Sequence, residues 1–257
     1  MKNLVITALL TIGSMGAFAQ TSETRQSQNF TALEVKNGIQ VVFTQSDEQS
    51  LKVESDDKAY LENIVTEYKG GTLKIYIREP KGNQGTVKTS KTAKVYVSQN
   101  NVSNFKAITG ASIKIVNTVV MDNVNIKLAS GASFTGMLQC KAKCSVIAES
   151  GSSFRGNLTA ATFETNVTGG ATVKIIGNTG TSIVFCNNGS LQAGKLMSEK
   201  SDIKTINAST AFVNVSKSIK AYTDDSSTIT YYGEPIDVNL GDNSYAIKRD
   251  NLKLALN

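Results

Sequence analysis

GASIKIVNTVVMDNVNIKLAS (residues 110–130), GASFTGMLQCKAKCSVIAES (131–150), GSSFRGNLTAATFETNVTG (151–169), GATVKIIGNTGTSIVFCNN (170–188) and GSLQAG (189–194) are successive openings of one pattern. Their leading glycines, Gly110, Gly131, Gly151, Gly170 and Gly189, stand 21, 20, 19 and 19 residues apart. Weaker echoes follow at Ser209 (STAFVNV) and Ser226 (SSTITYYG). A repeat of this length marks one coil of a solenoid. Leucine-rich repeats share the period, but their Leu-x-x-Leu-x-Leu spacing is absent. The apolar columns favour β structure. Three residues after the first four glycines stand Ile113, Phe134, Phe154 and Val173. Three before each following glycine stand Leu128, Ala148, Val167 and Cys186, five before stand Ile126, Val146, Thr165 and Val184, and seven before stand Val124, Cys144, Phe163 and Ser182. Offsets that step by two belong to a strand with one buried face. Equivalent positions then stack on rungs ~4.8 Å apart, and Phe134 over Phe154 becomes an aromatic step of the interior ladder.

The glycines have a local task. Ser130-Gly131-Ala132, Ser150-Gly151-Ser152 and Gly169-Gly170-Ala171 read as tight corners, where φ is positive or two backbones approach closely. An anion-binding glycine loop needs a helix after it, and strands follow here. The N-terminal third alternates without the repeat, as FTALEV (30–35), IQVVFT (39–44) and 50–54. Asn37-Gly38 is a hairpin or tight-turn signal. Asp56-Asp57 opens a short helix through Leu61. Strands resume at Thr66–Tyr68 and Thr72–Ile77 around Gly70-Gly71, and again at Ala93–Ser98. Such a region suits a cap on a solenoid end, which otherwise exposes unpaired backbone groups.

The chain starts with Met1-Lys2, runs through the apolar LVITALLTIGSMGAFA (4–19) and reaches Ala17-Phe18-Ala19, a small-x-small cleavage signal before Gln20. That is the pattern of a secretory signal peptide over 1–19. A membrane anchor is the alternative, but the run is short for a span and carries Gly and Ser/Thr near its end. No later segment is apolar enough for a transmembrane crossing. The protein is therefore expected to be exported, to the periplasm, the outer surface or the medium.

An opening Phe30, Leu33, Val35, Asn37, Gly38, Ile39, Val41 and Gln45 is followed by Leu51–Asp57, then Gly71-Thr72-Leu73-Lys74-Ile75, the Gly/Ser corners and a closing Tyr232-Gly233-Glu234-Pro235. In this order, over roughly 27–250, the motifs resemble the family of putative auto-transporter adhesins with a head GIN domain, exported proteins of Gram-negative bacteria. The chain has Gly38-Ile39-Gln40 where the family name reads Gly-Ile-Asn, and its corners are SGA, SGS and GGA. The resemblance implies an all-β, β-helix-like superhelix similar to pectin-lyase-type folds without their catalytic residues, and it implies adhesion. The expected organisation is a signal peptide (1–19), a flexible mature N-terminus (20–29) and one adhesin-like β domain (30–250). Within that domain 30–98 form the β-rich cap with its short helix, 99–233 the solenoid and 234–250 a closing strand.

Composition narrows the chemistry. Among 257 residues there is no His, no Trp and only three Cys. Histidine-based catalysis, a four-thiolate zinc site and a mixed zinc site are all excluded. Polysaccharide cleavage needs paired carboxylates or a Ca²⁺ site. The acids of the repeat region (Asp122, Glu149, Glu164, Glu199, Asp202, Asp224 and Asp225) fall at different rung positions. Asp224-Asp225 are adjacent, and neighbours on a strand point to opposite faces. Asp56-Asp57 reads as a turn and cap, with Ca²⁺ as the alternative. Cys144 and Cys186 lie on inward columns and behave as small hydrophobes. A Cys140–Cys144 bridge stays open in an oxidising compartment. Lys81, Lys88, Lys91 and Lys94 sit in KGNQGTVKTSKTAK (81–94), a solvated loop or a contact for anionic polysaccharide or lipid headgroups. Nucleic acid is not expected without aromatic-basic interleaving. The reading is a non-enzymatic binding protein for a glycan or protein at the cell envelope, with no cofactor, no metal and no catalytic residue, and with a homo-oligomer left open. A carbohydrate-active β-helix and an envelope scaffold or sensor are the alternatives. The binding face is not named by the sequence.

Overall fold

The computed structural model describes residues 21–78, 92–242 and 244–249. The signal peptide and Lys81, Lys88 and Lys91 lie outside them. In chain order the elements are β1 (Thr21–Arg25), β2 (Ala32–Val35), β3 (Gln40–Thr44), β4 (Ser50–Ser55), α1 (Lys58–Leu61), β5 (Ile64–Lys69), β6 (Thr72–Ile77), β7 (Ala93–Ser98), β8 (Asn104–Ile108), β9 (Ser112–Ala129), β10 (Ser133–Ala148), β11 (Ser153–Thr168), β12 (Thr172–Asn187), β13 (Ser190–Ile206), β14 (Thr210–Thr223), β15 (Thr228–Tyr232), β16 (Asp237–Leu240) and β17 (Ala246–Lys248). Together they wind a β-solenoid of about 8 turns, each rung roughly 19 residues.

From β9 to β14 each long strand bends within one rung. In β11, Phe154, Leu158 and Ala160 face inward, then the phase shifts and Phe163, Thr165 and Val167 do. The shift at Ala161–Thr162 is the bend between a leading arm, just after the corner, and a return arm. The leading and return arms press their apolar faces together. Phe105 of β8, on the return arm, meets Phe43 and Phe134 of the leading arm edge-on, at ring distances of 5.2 and 5.7 Å. Neighbouring long strands pair in parallel, with Phe134 opposite Phe154 and Phe154 opposite Val173. Phe134 and Phe154 stack at 5.5 Å with rings 10° apart. Every residue of the four columns read from the repeat is buried. Polar members are satisfied: Thr165 donates to the Val146 carbonyl at 3.0 Å, and the Ser182 and Ser201 hydroxyls bond each other at 2.5 Å.

Most rungs turn at a two-residue corner with positive φ. Ser130 and Gly131 lie at 54° and 73°, and Ser150 and Gly151 at 52° and 70°. The corners are themselves stacked. Gly110 donates to the Ser130 carbonyl, Gly131 to Ser150 and Gly151 to Gly169, all within 2.9–3.0 Å. Asn37-Gly38 belongs to this ladder, since Gly38 donates to the Thr109 carbonyl at 2.9 Å. It is therefore no hairpin turn. Its flanking strands pair with other rungs: β2 with β6 and β8, β3 with β7 and β9.

Those pairings revise the expected division at residue 98. Strands β2–β3 and β6–β7 are solenoid rungs, and the cap is smaller than 30–98. Chain order and spatial order also differ. The outermost rung is β6–β7, the next is β2–β3, and β8 with the start of β9 comes third. The remaining strands close the end in antiparallel fashion. On one arm β4 pairs with β7 and β1 with β4, and on the other β5 pairs with β6. Within the expected lead-in over 20–29, residues Thr21–Arg25 form the paired edge strand β1. Arg25 ties the two arms, donating from Nη1 to the Ile64 carbonyl at 2.6 Å. The helix α1 starts as the sequence requires, with the Tyr60 N–H donating to Asp57 at 2.8 Å. At the far end two strands replace the single closing strand expected over 234–250. Strand β16 adds to β14, and β17 to β15.

Candidate functional site

Among the described residues the carboxylates do not converge. Asp122 pairs with Lys141 at 3.4 Å, Glu149 with Lys127 at 3.6 Å and Glu199 with Lys217 at 2.7 Å. Glu164 pairs with Lys143. Each of these pairs joins neighbouring rungs on the bend or the return arm. Asp224 and Asp225 lie in the turn after β14, not in a strand, so their separation has another cause than strand alternation. Asp224 is occupied as a cap. Hydrogen bonds from the Ser227 hydroxyl, the Asn207 N–H and Ser226 hold its carboxyl down to about 2. Asp57 caps α1, and Asp56 accepts from the Thr92 N–H at 3.2 Å. Among the described residues no group of three or more Cys, Asp or Glu side chains is placed to hold a metal ion.

The three cysteines are free thiols, all buried. Burial pushes Cys186 up to about 12. The Cys140 thiol hydrogen-bonded to Cys144, together with burial, pushes Cys144 well above the ordinary range. Neither Cys144 nor Cys186 is a thiolate near neutrality, and the thiolate is the nucleophile.

Subtracting the paired charges leaves one distinctive surface, the outer face of the leading arm. From β3 through the start of β14 and on to β15 this arm contains no Asp or Glu. Register puts Lys114, Thr135, Arg155, Lys174, Gln192 and Phe212 in one row across successive rungs. Arg155 and Lys174 are direct neighbours. Lys195, opposite Ile176, adds a fourth cation. All four cations are exposed, and none has an ion-pair partner among the described residues. At the cap end the same face changes character. Lys52 bonds Glu54 at 2.7 Å and holds its carboxyl below the usual range. Lys94, the one described member of the basic loop motif, lies 5.1 Å from the Tyr96 ring centre beside that pair.

The row of cations ends at a shallow depression of about 260 Å³, walled by Lys174, Ile176, Gln192, Lys195, Phe212 and Tyr232. Its opening has a local cause. Between Gln192 and Lys195 strand β13 has one residue more than β12 between Lys174 and Ile176. An extra residue in one strand is a β-bulge, which re-aims side chains. Gly194 falls in that bulge and offers no side chain to fill the space.

This face has a signal in the sequence. Lys114, Thr135, Arg155 and Lys174 each stand four residues after a corner glycine, one step beyond the inward column at three. Asn123, Asn125 and Lys127, which alternate with the buried Val124 and Ile126, are exposed on the return arm, where acids accompany them.

A rung of about 19 residues, stacked corners and an interior of aligned apolar columns define a β-solenoid protein. A family profile described as "putative auto-transporter adhesin, head GIN domain" matches residues 29–235, and the chain belongs to that family. Among solved structures it is similar to a putative adhesin of Parabacteroides merdae, at 14% identity and TM-score 0.79 over 90% of this chain and 96% of that one. A putative adhesin of Parabacteroides distasonis is similar at 18% identity and TM-score 0.76, over 90% and 94%. A putative lipid binding protein of the same species follows at 14% identity and TM-score 0.71, over 90% and 97%. At such identities the likeness concerns the fold. No curated protein matches the sequence. No helix of the described residues is long and apolar enough to cross a membrane.

Proposed function

We propose that the protein is an exported, non-catalytic adhesin of the cell envelope that holds a glycan or protein partner along the leading arm of its solenoid. The observation that carries this reading is the acid-free face, where Lys114, Arg155, Lys174 and Lys195 stand exposed without carboxylate partners. Natural surfaces usually intersperse both signs, and a one-sign field steers a partner of opposite charge. The dispersal of the acids supports the absence of catalysis, because hydrolysis of a glycosidic bond uses two carboxyl groups flanking it. Export rests on the basic start, the apolar run and the Ala17-Phe18-Ala19 signal, with family membership in support.

The test is a binding screen against immobilised glycans and matrix proteins, run beside a polysaccharide turnover assay. The expected result is retention with no change in polymer length. Turnover that disappears on a single carboxylate substitution would overturn the reading. Intact-mass measurement of exported material should show a chain beginning near Gln20, and retention of residues 1–19 would refute the export assignment.

A further inference from the structure

We infer that the acid-free face binds a linear acidic polysaccharide, its carboxylate or sulfate groups on Arg155 and Lys174 and a sugar ring seated against Phe212 and Tyr232. This deepens the proposed function and rests on it. Sign comes first. Four exposed cations with no acid between them define an anion site without internal competition. Shape comes second. From Lys114 to Phe212 the row crosses five rung steps of ~4.8 Å, so it extends for about 24 Å. Sites for small ligands are concave and bury most of the ligand. An elongated row with cations at three of its six positions, Arg155 and Lys174 one rung apart, instead matches an extended polymer that carries anionic groups along its length, and the length of one sugar in an extended chain is close to one rung.

The depression supplies the third element. The bulge at Ala193–Gly194 and the missing side chain of Gly194 expose the half-buried ring of Phe212, with Tyr232 opposite and Lys174 and Lys195 at the rim. A ring beside two cations suits a pyranose that carries an acid, its C–H face on the ring and its charge at the rim. The same features disfavour a lipid bilayer. Interfacial anchoring uses protruding aromatic residues, above all Trp and Tyr, or a continuous apolar face. The chain has no Trp, these rings are recessed, and the exposed Val116, Met137, Ile176 and Met197 are interrupted by polar residues.

The experiment measures binding of the folded protein to polygalacturonate (carboxylate) and heparin (sulfate). Dextran serves as the neutral polymer, with phosphatidylglycerol vesicles and duplex DNA as rival polyanions. At least one acidic polysaccharide should bind, dextran should not, and affinity should fall as salt screens the charges. Arg155→Glu with Lys174→Glu should weaken binding about tenfold or more, since both direct charge contacts become repulsive. Lys220→Glu, an exposed site on the return arm, should change it less than about twofold, being outside the contact. Phe212→Ala should weaken binding while leaving its salt dependence unchanged, with thermal melting confirming that each variant folds. Equal weakening by Lys220→Glu, binding to neither acidic polysaccharide, or tighter binding to vesicles or DNA overturns the inference. Retention of a neutral glycan or a protein, with both acidic polymers ignored, removes this inference and leaves the adhesin reading standing. Cleavage of the bound polymer removes the adhesin reading and leaves the face assigned.

Discussion

Gly177 and Gly131 are both glycines with positive φ, yet they do different jobs. Gly131 lies at 73° with open space where a Cβ would be, while Gly177 lies at 120° and a Cβ there would stand 2.0 Å from the Leu158 carbonyl oxygen. Gly131→Ala should cost about 1–2 kcal/mol, the penalty of left-handed backbone. Gly177→Ala should cost clearly more, because the rung below cannot yield. Denaturation midpoints of the two variants would decide it, and equal shifts would mean that the close approach is absent. Aromatic positions act through packing. Gly156 leaves the space that the Phe154 ring occupies, since a Cβ there would sit 2.7 Å from the Phe154 Cζ. Phe154→Ala should therefore cost about 3–5 kcal/mol, read as a lowered midpoint in urea. Phe134 and Phe154 were legible because the glycines set the count from which they are three residues away. The task of Gln45 was not. Its side chain accepts from the Val120 N–H at 2.8 Å and donates to the Asn100 carbonyl at 3.0 Å, fastening the end of β3 to distant segments whose approach no local pattern announces.

Among the elements, the corner between β13 and β14 departs from the glycine pattern. At Asn207-Ala208 both residues take φ of 57° without a glycine. Asp224 of the following turn meets the Asn207 N–H at 2.7 Å, and the Ser226 hydroxyl meets the Ala208 N–H at 2.8 Å. The depressed carboxyl makes this corner sensitive to acid. Its folded pKa of about 2 lies below the ordinary 3.8, so the stabilisation is complete above the unfolded value and is lost as pH falls through the folded one. The stability difference between wild type and Asp224→Ala should stay constant from pH 7 to pH 5 and shrink between pH 4 and pH 2. A difference independent of pH over that window would place the effect elsewhere. Strands within the repeat could be aligned from the sequence because each corner resets the register. The strands before it could be seen but not placed. FTALEV and IQVVFT alternate identically whichever rung they join, and their partners lie as far away as β8 and β9.

For the molecule as a whole, the solenoid class was legible from one repeat, while the rung order was not. The acid-free face had its signal too, four residues after each corner glycine, but a charge row becomes a surface only when the rungs are stacked in register. The transposed first rungs also matter when the chain is pulled. Strands β2 and β3, early in the chain, are each held between two neighbours, whereas among the described residues β16 and β17 each lean on one strand of the rung before. Tension at the C-terminal end therefore peels the solenoid like a zip, one ladder at a time. Each rung of roughly 19 residues should release about 65 Å of slack in a force trace. Tension at the N-terminal end strips β1 first and then meets strands that must break two ladders together. A tethered molecule would be compliant at one end and stiff at the other, so the end that carries the anchor sets how much load a bound partner feels before the solenoid begins to unwind.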